Sequence, residues 1–233
     1  TGFDYLGEPT PFNSDMSVLL NHAALSEEEL AKYPHLSGDK VGDGRYEDVN
    51  KDGVLDQNDK TILGDNNPLF TAGFSNSFSY KNFTLDIQFT GSYGAEVFSF
   101  YKRMCGIYHG DRNGMIEQLG RWQSKDQPGD GIHFRPTRTP SGWQRDPSSA
   151  WVQDASYLRL RNLTLGYNFD QKVLDKMKMK GLRLYVTGQN LFTITNYVGY
   201  DPETSSESGL AQGGDYLGYP AARSFIIGAN ITF

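Results

Sequence analysis

The stretch Ser224-Phe225-Ile226-Ile227-Gly228-Ala229-Asn230-Ile231-Thr232-Phe233 alternates between apolar and mostly polar residues. Successive side chains of a β-strand point to opposite faces, so a period of two predicts a strand with one apolar face. That face carries Phe225, Ile227, Ala229, Ile231 and Phe233, opposite Ser224, Gly228, Asn230 and Thr232. The stretch therefore predicts a strand at 224–233.

Four earlier segments alternate in the same way and predict strands at about 70–80, 83–93, 156–169 and 182–191. Only Lys81-Asn82 separates the first two, which is the length of a two-residue hairpin turn. In the third strand Leu158 and Leu160 are out of phase with the later apolar residues. Either a β-bulge lies near Arg161, or the first half of that strand leaves the apolar layer.

The connections between these strands alternate in length. They are short at 81–82 and 170–181 and long at 94–155 and 192–223. Short periplasmic turns and long extracellular loops alternate in this way in the transmembrane β-barrels of outer membranes. The pattern predicts an all-β, antiparallel transmembrane barrel segment whose final strand ends at the periplasmic side.

A soluble β-sandwich also alternates, but three features weigh against it. Phe or Tyr stands at the ends of many apolar faces, the opposite faces are Ser, Thr, Asn, Gln and Gly, and the loops are long. A carboxy-terminal Phe on an alternating strand also resembles the recognition signal of outer-membrane barrels. Because the smallest such barrels have about eight strands, we expect these five to be the last part of a larger barrel.

Composition excludes several classes of protein. The net charge of -6 over 233 residues argues against nucleic acid as a partner. The single Cys105 excludes an internal disulfide framework. No run approaches 18 apolar residues, which excludes a transmembrane helix but leaves strand-built spans open.

Residues 1–69 are predicted to form an extracellular loop region with a short helix. Ser26 and Glu29 make a capping box at its start, and Pro34 limits the helix at its far side.

A calcium-binding loop is predicted at 48–59, where oxygen donors recur at the spacing of a twelve-residue calcium loop. Gly53 allows the sharp turn at the sixth position, and Asp59 stands at the twelfth, where Glu is usual. The shorter Asp predicts modest affinity, which suits a structural staple in an extracellular loop. The alternative is a solvated Asp/Asn-rich turn without an ion. The predicted ligands are Asp48, Asn50, Asp52, the Val54 carbonyl, Asp56 and Asp59.

No enzymatic site is expected. The histidines lack metal-ligand spacing, Cys105 lacks a nucleophile signature, and no phosphate-binding or nucleophile-elbow motif is present. The loop 94–155 is rich in aromatic residues that could stack on sugar rings, dock a partner protein or pack the loop itself. The histidines are His22, His35, His109 and His133, and these aromatic residues are Tyr101, Tyr108, Trp122, Trp143 and Trp151.

Several segments, taken in order, resemble SusC/RagA-type TonB-dependent outer-membrane transporters. They are the run from Gly42 to Gly53, Asp59-Lys60-Thr61-Ile62-Leu63-Gly64, Asn67-Pro68, the run from Trp151 to Tyr167, Val186-Thr187-Gly188-Gln189-Asn190-Leu191-Phe192, Tyr200-Asp201-Pro202-Glu203 and the final strand. The resemblance covers nearly all of the chain from about residue 40.

This resemblance implies a barrel of about 22 strands, of which these are the last. It implies a plug domain outside this chain through which TonB acts, and a SusD-like surface lipoprotein that covers the barrel. It implies uptake of oligosaccharides or peptides across the outer membrane of a Gram-negative bacterium, in contact with outer-membrane lipid. Two alternatives are a calcium-stabilised extracellular glycan-binding or adhesion module without transport, and an outer-membrane barrel hydrolase.

Overall fold

The computed structural model describes residues 2–3, 9–10, 16–17, 19–20, 28, 31–32, 34, 40–106, 114–124, 126–127, 129–130, 133–136, 148–203 and 213–233. The chain divides into two compact units. The loop unit consists of Thr1–Asn66, Glu96–Gln153 and Thr204–Gly218. The sheet unit consists of Asn67–Ala95, Asp154–Glu203 and Tyr219–Phe233.

The strands, numbered along the chain, are mostly short in the loop unit and long in the sheet unit. The short strands are β1 (Gly2–Phe3), β2 (Pro9–Thr10), β3 (Met16–Ser17), β4 (Leu19–Leu20), β5 (Arg45–Tyr46), β6 (Lys60–Thr61), β9 (Glu96–Ser99), β10 (Val152–Asp154) and β13 (Gly214–Asp215). The long strands are β7 (Phe70–Tyr80), β8 (Phe83–Tyr93), β11 (Tyr157–Asn168), β12 (Gly181–Thr195) and β14 (Ser224–Thr232).

The five long strands form one antiparallel sheet in the order β14-β12-β11-β8-β7. Each strand pairs with the next long strand along the chain, so the sheet is a meander. The turn at 81–82, the connection from β11 to β12 and the far end of β14 lie at one end, called here the turn end. The two long connections leave from the opposite end, called here the loop end.

A β-bulge interrupts β11 at Arg161. Leu160 pairs with Phe89, whereas Asn162 pairs with Gln88, so β11 has one residue more than β8 over this interval. The extra residue shifts the alternation by one position and returns Leu158 and Leu160 to the apolar face. Of the two arrangements that the sequence allowed, the bulge is confirmed.

The strand β12 runs beyond the predicted limit of 182–191. Asn190 has a φ of 50°, and the register against β11 jumps from Leu160↔Phe192 to Asn162↔Gln189. Phe192 and Ile194 keep the alternation of Leu184 and Val186 and continue the apolar face. Gly188 and Asn190 stand between them on the same face and are not apolar, so the apolar pattern ends before the strand does.

The connection from β11 to β12 contains a helix that the period of two does not indicate. Among the described residues there are two α-helices, α1 (Phe100–Gly106) and α2 (Gln171–Met177), and three 3₁₀ helices, Gln57–Asp59, Ile116–Gly120 and Ser149–Trp151. Of the segment from Ser26 to Pro34 in which a helix is predicted, the structure describes Glu28, which is helical, 31–32, which form a turn, and Pro34. No described helix is long and apolar enough to cross a membrane.

The loop unit has its own small cores. Phe98, Phe100 and Trp151 are buried together, with Leu63 and Val152 packed against them. Phe98 and Phe100 belong to β9 and the start of α1, and β9 lies between β10 and β13 in a three-stranded sheet. Tyr46 and Phe134 form a second buried pair. These contacts give the connections a fixed structure of their own.

Candidate functional site: a two-faced sheet with a charged clamp

One face of the sheet unit is apolar and exposed. The cross-strand row Leu165, Val186 and Ile227 illustrates it, since the three residues pair in sequence and Ile227 is 83% exposed. A contiguous apolar surface of this kind marks an interface with another protein or with lipid. The exposed residues of this face include Phe70, Phe74, Phe78, Tyr80, Phe83, Tyr93, Leu158, Leu165, Leu184, Val186, Phe192, Ile194, Phe225, Ile227, Ile231 and Phe233.

Aromatic rings stand at both ends of this apolar face. At the loop end the rings of Phe70 and Tyr93 stack with centroids 5.5 Å apart. At the turn end Tyr167 packs edge-on against Phe83 at 4.9 Å and against Phe169 at 5.0 Å. Aromatic residues that flank an apolar band at both ends are typical of strands that cross a membrane.

The opposite face of the sheet is polar and hydrogen-bonded across the strands. Thr164 and Thr187 bond through their hydroxyls at 2.8 Å, and Asn162 donates to Gln88 at 3.3 Å. The Ser77 hydroxyl donates to Asp86 at 2.6 Å. These contacts join four strands and suit a wall that faces water.

Gly166 makes space for an arginine on this polar face. A Cβ on Gly166 would lie 2.6 Å from Thr84 Oγ1 and 2.9 Å from the Nε of Arg183. Arg183 donates to Thr84 Oγ1 at 3.2 Å and lies 3.8 Å from Asp86. The glycine therefore lets the guanidinium lie flat across β11.

A cluster of two arginines and two carboxylates lies at the loop end, and we call it the clamp. Arg159 is 2% exposed; it donates to Thr193 Oγ1 at 2.9 Å and to Glu203 at 2.9 Å, and it pairs with Asp201. Arg161 at the bulge pairs with the same Glu203 and donates to Thr90 Oγ1 at 3.0 Å. Arg159 and Arg161 are two positions apart and therefore share a face, so one strand presents two arginines to one pair of acids.

Asp201 ties the two sides of the β12–β14 connection together. Its carboxylate accepts the backbone N–H of Ala221 at 2.9 Å and that of Glu203 at 3.0 Å, in addition to Arg159. Burial by itself raises the pKa of this carboxyl, but the N–H of Ala221, Arg159 and the N–H of Glu203 together hold the pKa below its ordinary value. Asp201 therefore stays ionised, and its ion pair stays intact, over the neutral and mildly acidic range.

Sequence reasoning did not find the clamp. The strand carries two arginines two positions apart, and its polar face is otherwise neutral. Because buried charges are paired in proteins, this pattern indicates that acidic partners lie elsewhere in the chain. Asp201 and Glu203 show the same spacing, but nothing in the sequence joins them to a strand about 40 residues earlier.

The predicted metal loop folds around its own side chains. Asp48 accepts the N–H of Asp52 at 3.2 Å and that of Gly53 at 2.8 Å. Asn50 Oδ1 accepts the Asp52 N–H at 2.9 Å, and Asp52 accepts the Val54 N–H at 2.8 Å. Gly53 has a φ of 84°, the left-handed conformation that the sharp turn requires.

The second half of the loop closes on Asp59, which is buried at 3% exposure. Its carboxylate accepts the N–H groups of Val49 at 3.0 Å and Asp56 at 2.8 Å. Asp56 caps the 3₁₀ helix by accepting the Asn58 N–H at 2.7 Å. Asp59 therefore joins the two ends of the loop, while Asp56 acts on the helix beside it.

The backbone of the loop has the turn that a calcium loop requires, but its carboxylates are not arranged around a metal position. Asp48, Asn50 and Asp52 all accept N–H groups from residues 52–54, so they lie along one turn. Within the described residues, however, no group of three His, Cys, Asp or Glu side chains is arranged to hold a metal ion. The carboxylates would have to exchange part of their N–H bonding for a cation.

Two of the aromatic residues singled out in the 94–155 connection pack within the loop unit. Trp151 is buried in the core with Phe98 and Phe100, and the ring of Trp122 lies against the backbone of Gly42. Tyr101 is half-buried, whereas Tyr108 and Trp143 lie outside the described residues.

Of the histidines and the cysteine named in the sequence analysis, the structure describes His133 and Cys105. His133 Nδ1 lies 2.6 Å from Asp130, and Cys105 is half-buried in α1. His22, His35 and His109 lie outside the described residues.

The two-faced antiparallel sheet with fixed loops is the fold of part of a known importer. Two solved structures of the RagAB peptide importer match the chain at 21% identity. The closed-closed state has a TM-score of 0.70 and covers 97% of this chain and 23% of that one. The open-open state has a TM-score of 0.67 over 94% of this chain and 22% of that one.

By sequence, the chain is a homologue of the TonB-dependent receptors, with SusC among them. It is 35% identical over 205 residues to TonB-dependent receptor P3 of Formosa agariphila, which covers 85% of this chain and 20% of that protein. It is 28% identical over 190 residues to TonB-dependent receptor SusC of Bacteroides thetaiotaomicron, covering 81% of this chain and 17% of SusC. The chain thus spans about a fifth of the length of these relatives. No protein-family model matches the chain.

Proposed function

We propose that this chain forms part of the wall of a TonB-dependent importer in the outer membrane of a Gram-negative bacterium. The observation that carries the proposal is the exposed apolar face with aromatic ends, which is the lipid-facing pattern of a membrane-spanning strand. The polar face then lines the interior. The relatives carry the name of TonB-dependent receptors, and neither their names nor the predicted motifs indicate an enzyme.

The proposal extends to a closed barrel of about 22 strands. In the described residues β7 and β14 each pair along one edge only. An unpaired strand edge is costly in lipid, because no water is available to bond its N–H and C=O groups. Further strands of the same protein would therefore pair with both edges.

The proposed cargo is an oligosaccharide or a peptide, taken up with a SusD-like surface lipoprotein as a lid and with energy from TonB acting on a plug domain. The support for the lid and for TonB comes from the SusC and RagAB relatives. The loops that the clamp fixes stand at the end where a lid would dock.

Detergent dependence tests the membrane part of the proposal. The protein that carries this chain, isolated from cells, should stay monodisperse only in detergent and should co-purify with a surface lipoprotein. A protein that stays monodisperse in buffer without detergent would favour the extracellular adhesion module instead.

We further propose that the 48–59 loop binds a structural calcium ion through Asp48, Asn50, Asp52, the Val54 carbonyl, Asp56 and Asp59. The spacing of oxygen donors and the left-handed Gly53 support this. The ion would hold the loop together and would take no part in transport chemistry.

Removing two carboxylates should abolish calcium binding by this loop. Asp48→Ala with Asp52→Ala deletes the ligands at the first and fifth positions, and elemental analysis of the purified protein should then show one calcium fewer. Asp65→Ala with Asp86→Ala removes the same charge outside the loop and should leave the metal content unchanged. Equal calcium content in all three proteins would refute the assignment.

A further inference from the structure

The turn end of the sheet unit carries five exposed lysines on connected segments, and we call them the lysine rim. They are Lys81, Lys172, Lys176, Lys178 and Lys180. The segments are held together, because Asn82 Nδ2 donates to Asp170 at 2.8 Å and the Asn168 N–H donates to the Asn82 carbonyl at 2.8 Å. The N–H of Lys180 donates to Thr232 O at 2.8 Å, which joins the rim to β14.

The lysine rim is a positive region in an acidic chain. Residues 170–180 and the 81–82 turn contain two acids, Asp170 and Asp175, against the five lysines. Both acids have local partners, since Asp170 accepts from Asn82 and Asp175 accepts from Gln171 Nε2 at 2.8 Å. Three positive charges remain in excess, although the whole chain has a net charge of -6.

The helix α2 has an apolar side beside its lysines. Leu174 is buried at 4% exposure, whereas Val173 and Met177, one helical turn apart, are 40% and 47% exposed. Lys172 and Lys176 are also one turn apart and lie along one side of that exposed apolar pair. A short helix with an apolar strip bordered by lysines suits the boundary between acyl chains and headgroups.

Two of the lysines occupy backbone positions that favour glycine. Lys81 has a φ of 52° and Lys178 a φ of 56°, the left-handed region in which a side chain is strained. The Lys81 ammonium also lies 5.4 Å from the centre of the exposed Tyr80 ring at the edge of the apolar face. Two turns of the rim therefore carry a lysine where glycine would be the less strained residue.

We propose that the lysine rim binds the phosphate groups of anionic phospholipids in the adjacent leaflet, with Val173 and Met177 at the acyl-chain boundary. The inference rests on the proposed function, which sets the turn end at a membrane surface. Aromatic residues already mark that level of the sheet, and lysine stems can lie along apolar surface while their ammonium groups reach the headgroups. The rim would fix the depth and tilt of these strands.

The test compares lipid binding by two variants with equal charge changes. The protein that carries this chain is purified in detergent and offered phosphatidylglycerol and phosphatidylcholine, and bound lipid is counted by native mass spectrometry. K172Q/K176Q/K178Q/K180Q should lower the preference for phosphatidylglycerol at least about tenfold. K32Q/K40Q/K51Q/K60Q changes four lysines in the loop unit and should retain the preference.

Further arms separate the possible results. V173S/M177S should weaken binding of both lipids, and glycerol phosphate at matched concentration should not displace phosphatidylglycerol. An unchanged preference in the rim variant, or displacement by glycerol phosphate, would overturn the lipid site. Neither result would affect the detergent dependence on which the proposed function stands. If the fourfold variant does not fold, K176Q/K178Q serves in its place, with an expected loss of about fivefold.

Discussion

Phe74→Arg should destabilise the membrane-inserted protein by about 2–4 kcal/mol, whereas Ser75→Arg, one residue further along β7, should cost less than about 1 kcal/mol. Phe74 pairs with Phe89 near the middle of the exposed apolar face, so an arginine there would lie in the lipid hydrocarbon. Ser75 pairs with Gln88 on the polar face, where water can solvate the guanidinium. The two variants carry the same new side chain on the same strand.

The measurement is the urea midpoint of the protein folded into lipid vesicles, together with its amount in the outer membrane. A similar loss in both variants would mean that the two faces meet the same solvent. In that case the sheet would not be a membrane wall, and a soluble sandwich with both faces covered would be favoured.

Arg159→Leu should destabilise the clamp by about 3–5 kcal/mol, the usual cost of removing one partner from a buried ion pair. Asp201 would keep its charge in a nearly buried position, because its remaining partners are two backbone N–H groups. The loss should appear as faster proteolysis in the connection between β12 and β14 and as a lower Tm.

Arg161→Leu is the matched control for the clamp. Arg161 and its partner Glu203 are both partly exposed, so this ion pair should contribute at most about 1 kcal/mol. Arg159→Lys keeps the charge but loses the forked geometry, and it should recover only part of the stability. Equal effects of Arg159→Leu and Arg161→Leu would contradict the role given to burial.

The sheet could be predicted from sequence because its signal is local. Each long strand has a polar and an apolar face, and the two-residue turn at Lys81-Asn82 joins β7 to β8 without ambiguity. The bulge at Arg161 was one of two arrangements that the phase of Leu158 and Leu160 allowed. Local patterning decides side-chain faces, so these features need no knowledge of distant residues.

The sequence pattern does not predict features that depend on distant residues or on strands whose apolar pattern is interrupted. Gly188 and Asn190 interrupt the apolar residues of β12, so the pattern ends before the strand, which continues past an irregular register at Asn190. The clamp joins Arg159 to Asp201 and Glu203 across β12, and pairing at that distance has no signature in composition. The helix α2 is only 7 residues long, too short for a helical period to emerge from its connection.

The 48–59 loop was predicted in part from its sequence. Its donor spacing is local and was read directly, and the left-handed Gly53 agrees with the turn that the spacing requires. For the carboxylates to converge on an ion, binding the cation must be more favourable than the N–H bonds that they would give up. The spacing of the residues does not determine that difference in free energy. Calcium therefore stays a prediction for elemental analysis.

The two-residue turn between β7 and β8 also bears on the order in which the wall assembles. A hairpin closed by so short a loop forms within about 1–10 µs, whereas strands joined through long connections must first overcome the entropy of closing them. The pair β7–β8 can therefore be in place before β11 adds to its edge. Until then the free edge of β8 could pair with another chain. We expect a lengthened turn at Lys81-Asn82 to extend that interval and to increase misassembly without altering the finished sheet.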